Sequence, residues 1–224
     1  MNFDDLLCDS IGLAIDNQSR LNDLLGKYDW NLKMHDGIIT FTLADGSLIE
    51  APAQLVGTKS YHSETWRWGW ANEEEGIAEK YKAAIERLRT IGEREQIEAL
   101  TTPQLALDGS ISGLNEWDYT MLAAGFLDGP VHRCPHEDGE VFVLVDKSIL
   151  PAEESISATC FAERFEKCTR IACILQQDRA LHAYASLHCF GIEFRKDRFR
   201  ITDRRGQKVD LLFNNAIYRS YKEA

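Results

Sequence analysis

The sequence predicts an α+β fold: two helix-plus-antiparallel-meander halves packed around a tryptophan-bearing strand. Three observations predict it. Trp66, Trp68 and Trp70 stand at i, i+2 and i+4, a spacing that puts all three indoles on one face of an extended strand. Runs with helical period flank short alternating runs separated by Gly-containing turns. The final strands also repeat the first ones at an offset of 160: with Gly46 set over Gly206, Trp30 falls on Phe190, Leu32 on Ile192, Met34 on Phe194, Ile39 on Phe199, Phe41 on Ile201 and Ile49 on Val209. That repeat is either an internal duplication or the coincidence of two alternating hairpins.

Taken in order, Leu7, Ile11, Ala14, Leu21 and Leu25 follow helical spacing and predict a helix over 3–25, capped by Asn2 with Asp5 and ended by Gly26. Trp30, Leu32 and Met34 alternate, His35-Asp36-Gly37 turns, and Ile39, Phe41 and Leu43 alternate again. Asp45-Gly46 signals a hairpin into a strand over 48–56. The tryptophan strand follows, then a helix from Glu73 to Ile91, capped by Asn72 with Glu75. Glu73, Glu74 and Glu75 suit that helix's positive N-terminal end and need no acid–base role. Thr101 to Gly113 is an irregular connector, and it divides one compact unit into halves 1–100 and 114–224. Helices over 115–127, from Glu154 and over 179–189, a strand over 141–145 and the second meander complete the chain. Phe161, Phe165, Cys168, Ala172 and Leu175 form the buried stripe of the long helix.

Composition narrows the function classes. Net charge is −11, from 36 acids against 25 bases, which speaks against general nucleic-acid binding. Residues 195–208 are the exception. They hold seven Lys or Arg against two acids, so this segment is +5 and the remainder −16. Arg198 and Arg200 could face a partner there, or pair with the chain's own acids. No apolar run of membrane-spanning length occurs, and the acidic N-terminus does not resemble a secretory signal. Six cysteines, several in helical patterns, point to reduced core thiols in a cytoplasmic protein. Neither a phosphate-binding Gly-x-x-x-x-Gly-Lys loop nor a Gly-x-Gly-x-x-Gly turn is present, and Gly109-Ser110-Ile111-Ser112-Gly113 is only a loose echo of a nucleophile elbow. No cofactor is expected.

Candidate site residues are few. Trp66, Trp68 and Trp70 are either core or an aromatic ligand floor. Arg67, on the opposite face, could clamp a carboxylate or phosphate. His132, Cys134 and His136 alternate and would share a strand face, with His182, His188 and Cys189 as further metal-ligand types. Paired zinc spacings are missing, so no metal is assigned and these six remain weak candidates.

Thr65-Trp66-Arg67-Trp68-Gly69-Trp70-Ala71-Asn72 resembles the Thr-Trp-x-Trp-x-Trp-Ala-Asn signature of an uncharacterised bacterial family. Val56-Gly57-Thr58 is similar to its approach strand, and Gly129-x-x-x-Arg133-x-Pro135 with Val141-Phe142-Val143-Leu144 to a second block. The likeness covers most of the first 145 residues and is weaker over the C-terminal third. It implies a bacterial origin and a compact α+β fold, and carries no activity.

Two functions follow as expectations. The first is a non-catalytic cytosolic binding protein, such as an immunity protein whose acidic surface neutralises a basic toxin. The second is a small-molecule enzyme or sensor with a pocket between the halves, lined by Trp66, Arg67, His132 and Arg133. A nucleic-acid role for the basic hairpin ranks third.

Overall fold

The computed structural model describes residues 1–73, 78–107, 113–152, 155–172, 174, 176–214 and 217–223. Helix α1 (Phe3–Leu25) is the central post. Asn2 accepts the Asp5 amide at 2.8 Å, Asp5 accepts the Asn2 amide at 3.2 Å, and Gly26 closes the helix at φ 58°. Both flanks of α1 are buried, each through a close approach at a glycine. On one side, a Cβ on Gly125 of α4 (Glu116–Phe126) would stand 2.0 Å from the Ser10 carbonyl. On the other, a Cβ on Gly12 would stand 2.4 Å from the Tyr184 ring of α6 (Gln177–Leu187).

Seven antiparallel strands form the larger sheet: β1 (Tyr28–Lys33), β2 (Ile38–Leu43), β3 (Leu48–Ser60), β4 (Thr65–Trp68), β5 (Gln104–Ala106), β6 (Val131–His136) and β7 (Gly139–Val145). They run β1-β2-β3-β4-β5, while the long β3 also pairs with β7, and β6 lies beyond β7 as an edge. The β6–β7 hairpin follows the connector in sequence yet belongs to this first sheet. Sheet membership therefore changes after Val145 rather than at 101–113. Helices α2 (Ala83–Glu95), α3 (Glu98–Thr101) and α4 accompany this sheet, and α5 (Ala158–Ile171) and α6 accompany the second. The second sheet is β8 (Gly191–Arg195), β9 (Arg198–Thr202), β10 (Lys208–Asn214) and β11 (Ile217–Glu223).

The fold is α+β with two sheet halves, and several predicted elements move. The tryptophan strand stops at Trp68. Trp70 lies on a 3-10 turn, Gly69–Ala71, because the chain folds onto the β3 bulge, where a Cβ on Gly69 would stand 2.5 Å from the Leu55 carbonyl. The helix expected from Glu73 starts at Ala83. Asn72 is not its cap: its carbonyl accepts the buried Lys82 ammonium at 3.1 Å. Glu74, Glu75, Ile77, residues 108–112, Glu154, Cys173 and Leu175 lie outside the described residues. The long helix begins at Ala158, where the Ser157 hydroxyl accepts the Cys160 amide at 3.1 Å.

The offset of 160 has a geometric counterpart. Ile39 pairs with Ala51, and Phe199 with Leu211, so both hairpins keep one register under the shift. Their glycine turns match too, with φ 84° at Gly46 and 82° at Gly206. The outer strands do not follow: Leu32 pairs with Ile39, but Ile192 pairs with Ile201, two residues away from the shifted position.

Candidate functional site: a cavity beside the edge strand β6

Strand β6 carries Pro135 and alternates His132, Cys134 and His136 with Arg133. Proline is tolerated there because, among the described residues, one edge of β6 has no neighbouring strand. A cavity of about 520 Å³ lies beside it. Ile15 and Gln18 of α1, Trp117 and Met121 of α4, and Arg170 and Ile171 at the end of α5 face it, with Tyr28 of β1 and Phe142 of β7. Its wall thus combines the seven-stranded sheet with a helix that precedes the second sheet. The volume lies in the range of small-molecule pockets.

On two of these lining residues a polar atom lies buried, away from the cavity's free space and without a hydrogen-bond partner among the described residues: Nε2 of His132 and Oε1 of Gln18. The His132 side chain is 6% exposed and packs against the rings of Tyr28, Trp30 and Phe41 at 5.2–5.8 Å. Its Nδ1 lies 3.5 Å from the Tyr28 hydroxyl. Burial lowers its pKa from 6.5 to about 4, so the imidazole is neutral near pH 7. Burial likewise raises the neighbouring Cys134 thiol to about 12, which keeps it protonated and unreactive.

Both cations of the lining are already paired. Arg133 donates Nε to Glu140 Oε2 at 2.7 Å and NH2 to Oε1 at 2.5 Å, while the Tyr61 hydroxyl donates to Oε1 at 2.6 Å. Burial of Glu140 raises its pKa, but Arg133 and Tyr61 outweigh that and hold it below the usual carboxylate range. The Arg133 guanidinium also lies 6.0 Å from the Trp117 ring centroid. Arg170 is paired with Glu166 one turn earlier on α5. No carboxylate faces the cavity among the described residues.

The predicted site residues separate. Trp66 and Trp68 are fully buried core. They stand 5.4 Å apart edge to face, and Trp66 stacks on Tyr119 at 5.6 Å. They form no ligand floor, because helix α4 covers the face they share. Trp68 Nε1 donates to the Ala99 carbonyl at 2.9 Å, whereas Trp66 Nε1 has no acceptor among the described residues. Half-buried Trp70 lies under Arg89, 4.6 Å from its guanidinium. Arg67 donates to Gln104 Oε1 at 2.8 Å and lines a different, polar groove of about 710 Å³ with Thr58, Ser63 and His136.

His136 thus faces that groove, away from the aromatic cage around His132. His182 lies against Phe199, buried His188 is 2.8 Å from Asp16, and Cys189 is exposed just past α6. Among the described residues no group of three or more His, Cys, Asp or Glu side chains is placed to hold a metal. Arg200 is bidentate to Asp210 at 2.7 and 2.9 Å, and Arg198 is 3.5 Å from the same carboxylate, so these two cations are paired within their own sheet.

Sequence reasoning brought His132 and Arg133 to the cavity and missed Gln18, Tyr28, Trp117 and Arg170. These four come from four separate elements and share no motif, so the tertiary fold alone brings them together.

The chain belongs to a family of unknown function, DUF6882, whose model matches residues 4–148. The match ends three residues after β7 and omits α5, α6 and the second sheet. No curated protein and no solved structure matches the chain.

Proposed function

We propose that this protein is a non-catalytic binding protein for a small organic molecule, held in the cavity beside β6. The observation that carries this reading is the cavity's lining: Ile15, Met121 and Phe142 with the rings of Tyr28 and Trp117 border about 520 Å³, which suits a small ligand with an apolar body.

Binding is favoured over catalysis by the protonation states. A histidine with a pKa of about 4 is a weak general base near pH 7, and a thiol at about 12 is a poor nucleophile. Buried, unpaired thiols also suit a reducing, cytoplasmic setting. The neutralisation of a basic toxin rests on the acid excess alone. The cavity gives the small-molecule reading a specific site, so that reading takes precedence.

Ligand-observed NMR against a fragment library tests the proposal. Fragments should bind the wild type and lose binding in Ile171→Trp, which fills the cavity from its half-exposed rim. Equal binding by the two proteins would move the site elsewhere.

A further inference from the structure

The charges at the cavity's rim select among ligands, on the premise that the cavity is the binding site. We propose that the ligand is a hydrophobic monocarboxylate: an apolar, ring-sized body that fills the cavity, with one carboxylate that stays at its mouth. Arg133 and Arg170 are the only charged side chains among the described residues of the lining. Their partners, Glu140 and Glu166, do not line it. The cavity therefore meets the cationic end of both ion pairs, which attracts an anion and repels a cation. His132 adds no charge near pH 7, because burial keeps its imidazole neutral.

Both guanidinium groups keep donors for a carboxylate. Glu140 takes Nε and NH2 of Arg133, which leaves NH1 without an acceptor among the described residues. Glu166 takes NH2 of Arg170 and leaves its other nitrogens to donate. The Arg133 guanidinium lies 6.0 Å from the Trp117 ring centroid, so a carboxylate that meets it sets the attached body against that indole. Exposure fixes the depth of the charge. The Arg133 side chain is 46% exposed and that of Arg170 74%. A carboxylate beside them keeps part of its hydration, whereas one driven in among Ile15, Met121 and Phe142 would lose it with no cation alongside. A hydrocarbon fills the same space and leaves both cations unused. The chain's net charge of −11 opposes anions at long range. Physiological salt screens such fields beyond about 8 Å, so the two cations in contact with the ligand outweigh acids farther away.

Three matched probes test this: naphthalene-2-carboxylate, 2-methylnaphthalene and 2-(aminomethyl)naphthalene, which is a cation near pH 7. Each is titrated into the wild type, into Arg170→Gln and into the double variant Arg133→Gln with Glu140→Gln, with affinities read by ligand-observed NMR. The double variant removes an ion pair whole, so no buried charge is left alone. The carboxylate should bind wild type about tenfold more tightly than 2-methylnaphthalene, and the amine more weakly than both. Added salt should shrink the carboxylate's advantage. Each variant should cut carboxylate affinity by roughly 3–10-fold and leave 2-methylnaphthalene within about twofold, which also reports that the cavity is intact. Arg170 is exposed enough that its variant keeps the test open if the double variant fails to fold. Equal binding of all three probes, tightest binding of the amine, or carboxylate binding that survives in both variants would overturn the ligand class and leave the cavity as the site. No binding by any probe, or binding unchanged in Ile171→Trp, would overturn both.

Discussion

Asp16 of α1 and His188 at the end of α6 meet at 2.8 Å between Oδ2 and Nε2, with side chains only 2% and 7% exposed. Tyr184 donates to Asp16 Oδ1 at 2.8 Å, and Arg164 of α5 to the same oxygen at 2.6 Å. This one carboxylate therefore joins the family-matched part of the chain to both helices of the remainder. Arg179, bonded to Asp5 and Asp9, adds a second tie nearer the start of α1.

Removing Asp16 should be costly, because it leaves Arg164 buried without its partner. Asp16→Ala should lower the unfolding free energy by about 3–5 kcal/mol, measured by urea titration. Burial raises the Asp16 pKa, but His188, Arg164 and Tyr184 together outweigh it and leave the value below 3.8. Its contribution is complete above the ordinary carboxylate pKa and is lost as pH falls through the lower folded value. Asp16→Asn should remove that acid-side loss.

His132 should impose a pH dependence in a different window. Its folded pKa of about 4 lies below the unfolded 6.5, so between these values the unfolded chain binds the extra proton. Stability should fall as pH drops from about 6.5 towards 4, by up to roughly 3 kcal/mol at 1.36 kcal/mol per unit. His132→Phe should flatten that slope, checked by urea midpoints across pH 4–7.

Gly57 leaves room for Trp66. A Cβ at Gly57 would stand 2.3 Å from Trp66 Cζ2. Gly57→Ala should displace the indole, lower stability by about 1–3 kcal/mol and alter the near-UV circular dichroism of the buried tryptophans.

Arg198 and Arg200 should be held from a polyanion while Asp210 is present. Wild-type protein should pass through a heparin column at physiological salt. Asp210→Asn, which frees Arg198 and Arg200, should be retained and elute with added salt.

The sequence made some of this legible and hid the rest for identifiable reasons. Helix α1 was readable in full because its apolar period, capping box and terminal glycine agree. The β2–β3 and β9–β10 hairpins were readable from alternation and Gly turns. Edge strands β6 and β11 were not, because a strand with one free edge and an exposed face holds polar residues and even Pro135. Trp70 was placed on the strand by its spacing alone, whereas the bulge in β3 and the fit of Gly69 against Leu55 end the strand two residues earlier. The likeness to an uncharacterised family anticipated the matched segment well. The cavity was only half visible: His132 and Arg133 lie side by side in sequence, but their partners come from distant elements.

The cavity itself can be tested at one methyl group. The chain has three methionines: Met121 lines the cavity, Met34 packs beside β1 and β2, and Met1 is exposed. With ¹³C-methyl methionine, titration of an aromatic fragment that binds the wild type should shift the Met121 resonance saturably, leave Met1 and Met34 in place, and have no effect in Ile171→Trp. A Met121 signal that stays fixed while the probe binds, or shifts alike in wild type and Ile171→Trp, would contradict the assignment of this cavity as the binding site.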